Sequence, residues 1–246
     1  MIKIALQFIP ALILTVMCAC SVASPPKLNE LSGETAPNPS AGCGIAQQGS
    51  IRLNGKFISI KTQVLDQERK YHLRLPRFYD PNRAYPLIFR WHGAGGNGLS
   101  GGLGIEFSAR DNAIIVSADG LNGYWKVHGN SIDLPFFDNM LDTISNQYCV
   151  DRNRIFSFGF SAGGTFSNLL ACERGDVLRA SAAIASGSTS NNCKGKVATW
   201  LLHDQNDDAV PIARGKAVRE RALATNGCST NTVDEANGCV RYQGCD

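Results

Sequence analysis

The sequence predicts an α/β fold, a mostly parallel central sheet flanked by helices, and three observations carry that prediction. Short apolar runs of strand length recur at Leu87 to Trp91, Ala113 to Ala118, Ile155 to Gly159, Ala182 to Ala185 and Ala198 to Leu202. Helical stretches lie between them, and strands alternating with helices build βαβ units around a parallel sheet. The 246 residues, 43% hydrophobic and 18% charged, suffice for one sizeable core, and no repeat or linker divides them.

Taken in chain order, Met1 to Ala23 opens with Lys3, continues through the apolar Ile4 to Met17 and ends in the small Ser21-Val22-Ala23. This is the pattern of a secretory signal peptide over residues 1–23, and the apolar run is short for a stable membrane span. Met17-Cys18-Ala19-Cys20 also forms a loose lipobox, so a lipid anchor through Cys20 is the alternative to free secretion. Residues 24–42, rich in Pro, Ser and Asn, predict a flexible leader before a catalytic domain over 43–246. Arg69 to Pro76 alternates polar and apolar, as a half-exposed strand does. Phe137, Met140, Leu141, Ile144 and Tyr148 fall at spacings of three and four, the stripe of a helix lying on the sheet.

Composition also excludes partners. A net charge of +3, with Lys and Arg scattered, builds no basic stripe for nucleic acid. Seven cysteines follow residue 23: Cys43, Cys149, Cys172, Cys193, Cys228, Cys239 and Cys245. Their number suits an oxidising compartment and disulfides, the odd count leaves one thiol over, and the absence of CxxC spacing argues against a zinc site.

The strongest motif is Gly159-Phe160-Ser161-Ala162-Gly163, preceded by the strand-like Ile155-Phe156-Ser157-Phe158 and followed by a helical stretch from Gly164 to Cys172. A strand-to-helix turn this sharp needs small residues on both sides of a serine. It lifts the Ser161 hydroxyl above the sheet as a nucleophile and places the Ala162 amide to bind a developing oxyanion. Trp91-His92-Gly93-Ala94-Gly95-Gly96 follows an earlier strand, and its Ala94 amide is the candidate second oxyanion donor. The strand Ala198 to Leu202 runs into His203, Asp204, Asp207 and Asp208. In a serine, acid, histidine chain order, the acid lies on such a loop, with Asp207 and Asp208 ahead of Asp204.

From about Tyr71 to Cys245 the chain resembles the feruloyl esterases of carbohydrate esterase family one and the related polyhydroxybutyrate depolymerase-like secreted esterases. The resemblance rests on the elbow, on Tyr71-His72-Leu73-Arg74-Leu75-Pro76, on Tyr148-Cys149-Val150-Asp151-Arg152-Asn153-Arg154-Ile155, and on Asn226-Gly227-Cys228. It implies an α/β-hydrolase fold with no cofactor or metal, acting on an ester-linked polysaccharide or a small aryl ester. The activity it implies is release of hydroxycinnamates, with polyhydroxyalkanoate depolymerase or acetyl xylan esterase as alternatives. The family's acid lies four residues after the strand-end histidine, which selects Asp207. Where the family reads His-Gly this chain has His203-Asp204, so the local turn is expected to differ.

The resemblance also implies a catalytic histidine in a Gly-His context beyond the segment matching Cys239 to Cys245. The expectation is therefore a chain stopping short of that histidine and of a terminal strand, inactive or nearly so in this form, with an exposed sheet edge. Loss of a triad member costs about four to six orders of magnitude in turnover. Of the four histidines, His72 sits in a strand, His92 in the oxyanion loop and His203 ahead of the acid, leaving His128 as the substitute base. Trp125 and His128 are otherwise expected to border the substrate pocket. A secreted, non-catalytic binding protein on the same fold is the alternative from another class. Spacing does not determine disulfide connectivity; the expected pairs are Cys43 with Cys149, Cys172 with Cys193 and Cys228 with Cys245, leaving Cys239.

Overall fold

The computed structural model describes residues 36–46, 55–100, 102–128, 130–188, 190–191 and 193–246. The signal peptide, Cys18, Cys20 and the first part of the expected leader lie outside the described residues. A seven-stranded sheet forms the centre. Its strands in chain order are β1 (Ile58–Val64), β2 (Gln67–Arg74), β3 (Tyr85–Trp91), β4 (Ile114–Ala118), β5 (Val150–Phe160), β6 (Ala180–Ile184) and β7 (Ala198–Leu202). In space they run β1-β2-β4-β3-β5-β6-β7. β1, β2 and β4 pair antiparallel, and β4, β3, β5, β6 and β7 pair parallel, which is the mostly parallel sheet expected.

The central strands are apolar on both faces because helices cover both faces of a parallel sheet. Every residue of β4 is buried, and Leu87, Phe89 and Trp91 of β3 are fully inside. Helix α2 (Asp133–Gln147) follows α1 (Ile105–Ala109) and buries Phe136, Phe137, Met140, Leu141 and Ile144 on one stripe. Its start suits its position, since Asp133 and Pro135 fall in the first turn, where an acid meets the helix dipole and a proline breaks no bond. Tyr148, expected as the end of the stripe, is the extended residue that caps the helix. Helix α3 (Ala162–Glu173) buries Phe166, Leu169 and Leu170 against β5 and β6.

Beyond β7, α4 (Ile212–Thr225) leads to a small hairpin of β8 (Thr232–Asp234) and β9 (Val240–Tyr242). These were not anticipated, and the reason is weak patterning: Val218 is the one fully buried residue of α4. β7 bounds the sheet, with Trp200 46% and Leu202 43% exposed.

The leader expected to run flexibly to residue 42 is instead docked from Asn38. Its Asn38 N–H donates to Asp151 Oδ1 (2.9 Å), Ser40 N–H to the Val150 carbonyl (2.8 Å) and Gly42 N–H to the Ser145 carbonyl (2.9 Å). Buried backbone needs such partners, and the end of α2 and the start of β5 supply them. The disulfides are Cys43–Cys149, Cys172–Cys193 and Cys228–Cys245, with Cys239 free. The first of them fastens this docked segment to the core.

Candidate active site

β5 ends at Phe160 and α3 begins at Ala162, so Ser161 is the whole of the turn between them. Its backbone sits at φ 54°, ψ −119°, a conformation costing a side-chain-bearing residue on the order of 1–3 kcal/mol. Neighbouring bonds hold it there. Ser161 N–H donates to the Ile184 carbonyl at 2.9 Å, and its own carbonyl accepts from Thr165 N–H at 2.9 Å. The flanking glycines are dictated by close approach. A Cβ on Gly159 would lie 2.2 Å from the Gly163 carbonyl oxygen, and a Cβ on Gly163 would lie 2.2 Å from the Trp91 carbonyl oxygen. Ala162 is the first helical residue, where amides have no intrahelical partner and the dipole favours negative charge.

The loop after β3 closes on this turn. A Cβ on Gly93 would lie 3.2 Å from the Phe160 ring and 3.6 Å from Ser161 Cβ, so the loop backbone rests on the serine. Gly95 N–H donates to the Gly123 carbonyl at 2.8 Å and ties the loop to the 120–124 turn. His92 is buried beneath, and Ala94 is exposed at the tip. Trp125, expected on the pocket border, is 6% exposed and lies under the loop. It donates Nε1–H to the His92 carbonyl (2.9 Å), stacks on Phe166 (5.1 Å) and meets Trp91 edge-on (5.2 Å). A large indole with one donor is satisfied by that place, since it buries its rings and keeps its hydrogen bond.

Residues missed at the sequence level hold the far side of the loop. Asp119 Oδ1 accepts from Gly98 N–H at 2.7 Å, while the Gly98 carbonyl accepts from Ser117 Oγ (2.5 Å) and from the Arg90 guanidinium. Arg90, a charge inside the apolar run Leu87 to Trp91, was the available signal. It also pairs with Glu106 and is held below its ordinary pKa by burial. Burial pushes the Asp119 carboxyl up. Lys70, the Gly98 amide and His72 together outweigh it, so the group lies below the usual carboxylate range.

The acid loop after β7 separates its three candidates. Asp207 is the shielded one, its side chain 15% exposed, with Oδ1 accepting from Ala209 N–H (2.9 Å) and Val210 N–H (2.8 Å). Asp204 and Asp208 are exposed, and Asp204 Oδ1 only closes its own turn on Asn206 N–H. His203 Nε2 lies 2.6 Å from the Val210 carbonyl and 3.6 Å from Asp207 Oδ2. The expected difference at His203-Asp204 therefore takes the form of an imidazole folded back into the acid loop, in the space Gly215 leaves for it.

The remaining histidines are elsewhere. His72 bridges Ser59 Oγ (2.9 Å) and Asp119 Oδ1 (3.0 Å), and His92 bridges Gly93 and Gly120. His128 is exposed in the bend before α2. Among the described residues no histidine hydrogen-bonds the Ser161 hydroxyl.

No protein-family model matches the chain. Among solved structures, a thermostable esterase superposes with TM-score 0.58 at 18% identity, over 70% of this chain and 52% of that one. A CE1 ferulic acid esterase from Anaeromyces mucronatus superposes with TM-score 0.55 at 17% identity, over 70% of this chain and 79% of that one. These likenesses establish the α/β-hydrolase fold. Sequence relatives are closer. Feruloyl esterase D of Neurospora crassa is 36% identical over 241 residues, covering 89% of this chain and 81% of that protein. Probable feruloyl esterase C of Aspergillus niger is 33% identical over 194 residues, covering 72% and 71%. Similarity of that extent, on a sheet that delivers a strained serine against a glycine-rich loop, places the chain in the feruloyl esterase family.

Proposed function

We propose that this protein is a secreted serine ester hydrolase that releases hydroxycinnamates such as ferulate from plant cell-wall polysaccharide. The observation that carries the reading is Ser161, a non-glycine residue kept at φ 54° where the chain could have relaxed with a glycine. Strain of this kind persists at sites where it serves a mechanism. Three disulfides suit an oxidising compartment and, with the pattern of residues 1–23, support secretion.

In the proposed mechanism Ser161 Oγ attacks the ester carbonyl and gives its proton to a base, and the carbonyl oxygen becomes an oxyanion held by the Ala162 and Ala94 amides. The carbon–oxygen bond to the sugar then breaks, and the sugar oxygen takes the proton. Water repeats the sequence on the acyl-enzyme and frees the hydroxycinnamate. Asp207, with Oδ1 fixed by two amides, keeps Oδ2 to orient an imidazole. β5 and β7 are separated by β6, so the loops bearing Ser161 and Asp207 leave their strands about 10 Å apart, a distance that calls for a bridging side chain. His72, His92 and His203 are each bonded elsewhere, which leaves the base outside these three.

The same machinery would serve a polyhydroxyalkanoate depolymerase or an acetyl xylan esterase. That no described residue hydrogen-bonds the Ser161 hydroxyl favours a second reading, a non-catalytic secreted binding protein on the same fold. Hydrolysis of methyl ferulate and 4-nitrophenyl acetate with and without added imidazole separates them, using Ser161→Ala as the blank. The expected result is slow, Ser161-dependent cleavage of methyl ferulate that imidazole accelerates, since a diffusing base can serve a hydroxyl that no described histidine reaches. Binding of feruloylated oligosaccharide with no covalent capture of a fluorophosphonate at Ser161 would favour the binding protein.

A further inference from the structure

One side chain sets the peptide that joins Gly93 to Ala94. His92 Nδ1 lies 2.7 Å from the Gly93 carbonyl oxygen, an acceptor, so Nδ1 carries a proton. His92 Nε2 lies 2.9 Å from the Gly120 amide nitrogen, a donor, so Nε2 presents a lone pair. Both bonds are met only by the neutral Nδ1–H tautomer. The ring is 3% exposed and lies against Trp125 at 4.9 Å, while Trp125 Nε1–H holds the His92 carbonyl, so the imidazole has no freedom to turn.

The carbonyl and the N–H of a trans peptide point in opposite directions. With the Gly93 oxygen drawn inward by His92 and by Gly96 N–H (3.1 Å), the Ala94 N–H is turned outward. No described residue accepts a hydrogen bond from it. Gly93 itself rests on Phe160 and Ser161, so this free amide leaves the loop beside the serine turn.

We propose that His92, as the neutral Nδ1–H imidazole, is the positioning residue of the oxyanion hole, fixing the Gly93–Ala94 peptide so that the Ala94 amide faces the oxygen of the reacting carbonyl. The proposal rests on the reading of Ser161 as the nucleophile. It separates the two nitrogens of one ring into different roles. The Nδ1 bond orients the amide; the Nε2 bond only fastens the loop to Gly120.

Asparagine carries an amide nitrogen near the place of Nδ1, and glutamine carries its amide near the place of Nε2. His92→Asn therefore keeps the donor to the Gly93 carbonyl, and His92→Gln keeps the partner of Gly120. The test is the rate at which a fluorophosphonate labels Ser161 in the full chain and in both variants, with urea midpoints measured alongside. Histidine ¹⁵N spectra of the unreacted chain report the tautomer. The expected result is a protonated Nδ1 and an unprotonated Nε2 for His92. His92→Gln labels slower by about a hundredfold, as for loss of one oxyanion donor, and His92→Asn loses far less at a similar urea midpoint. Equal slowing in both variants, or a His92 protonated on Nε2, overturns the proposal. Failure of the unsubstituted chain to label even with imidazole added overturns the nucleophile reading instead, and the ¹⁵N spectra still decide the placement of His92.

Discussion

Replacing Gly163 with alanine adds one methyl group at the place where strand end, loop and helix converge. The added Cβ would meet the Trp91 carbonyl oxygen at 2.2 Å, the His92 carbonyl oxygen at 2.5 Å and the Trp91 carbonyl carbon at 2.6 Å, all of them backbone. Reaching even a 3.0 Å contact requires the start of α3 and the end of β3 to part by about 0.8 Å. Overpacking of this kind costs about 1–3 kcal/mol. The same displacement moves the Ala162 amide relative to the loop that carries Ala94, and misplacement by about 1 Å costs on the order of a hundredfold in reaction rate. Urea denaturation reads the first effect as a lower midpoint at constant slope, and fluorophosphonate labelling of Ser161 reads the second. Gly164→Ala is the graded comparison, because its Cβ meets Ser186 Cβ at 2.8 Å and the Ile184 carbonyl oxygen at 2.9 Å, looser contacts than those at Gly163, and it should lose less on both scales. A Gly163→Ala chain with unchanged midpoint and labelling rate would refute the claim that close approach, rather than chance, puts glycine there.

The disulfides differ in the loops they close, 106 residues for Cys43–Cys149 and 21 for Cys172–Cys193, worth about 5 and about 3 kcal/mol by loop entropy. Paired Cys→Ser replacement should rank them in that order in urea titrations, and the reverse order would show that the docked 38–42 segment adds nothing to the constraint. Burial pushes the Asp151 carboxyl up, but the Asn38 and Asn153 amides and the Arg154 guanidinium outweigh it and hold it below the usual carboxylate range. Its contribution is therefore complete above the unfolded value of about 3.9 and lost as pH falls through the lower folded value. Asp151→Asn should be less stable at neutral pH and should show a shallower acid decline, and parallel stability curves for the two proteins would contradict the assignment.

The parts legible in the sequence were those whose physics is local. The five apolar runs became β3 to β7, most plainly β3 and β4, where burial on both faces writes an unbroken run into the chain. The Ser161 elbow was legible for the same reason, since strand, glycine, serine, glycine and helix are consecutive. β1 was overlooked although Ile58, Ile60, Thr62 and Val64 alternate with exposed residues, because its apolar face is only half-buried. The burial of Trp125 was not legible because its partners, Phe166 and Trp91, arrive from other elements. The clamp on Gly98 joins Arg90 and Ser117 to Asp119 across two strands, and no spacing rule foretells it. Sequence alone also left Asp204, Asp207 and Asp208 open, and what distinguishes Asp207 is the pair of amides on one oxygen together with its shielding.

The two halves of the site are unequally supported, and the inequality follows from strand order. Ser161 leaves β5, which is flanked by β3 and β6, backed by α3 and packed around Phe166 and Leu170. Asp207 leaves β7, the border of the sheet, where Trp200 and Leu202 face solvent and α4 buries one residue fully. Stability within a fold follows the density of buried contacts, so the Ser161 turn stands on a better-packed part of the sheet than the Asp207 loop does. A carboxylate that only orients an imidazole tolerates that looser packing better than a nucleophile would, provided its own loop is rigid. The Asp207 loop meets that condition internally, through Ala209 and Val210 on Oδ1 and His203 on the Val210 carbonyl. His203 is thereby best understood as a brace of the acid loop, which is why a histidine four residues from the acid can be close to it and still not serve Ser161.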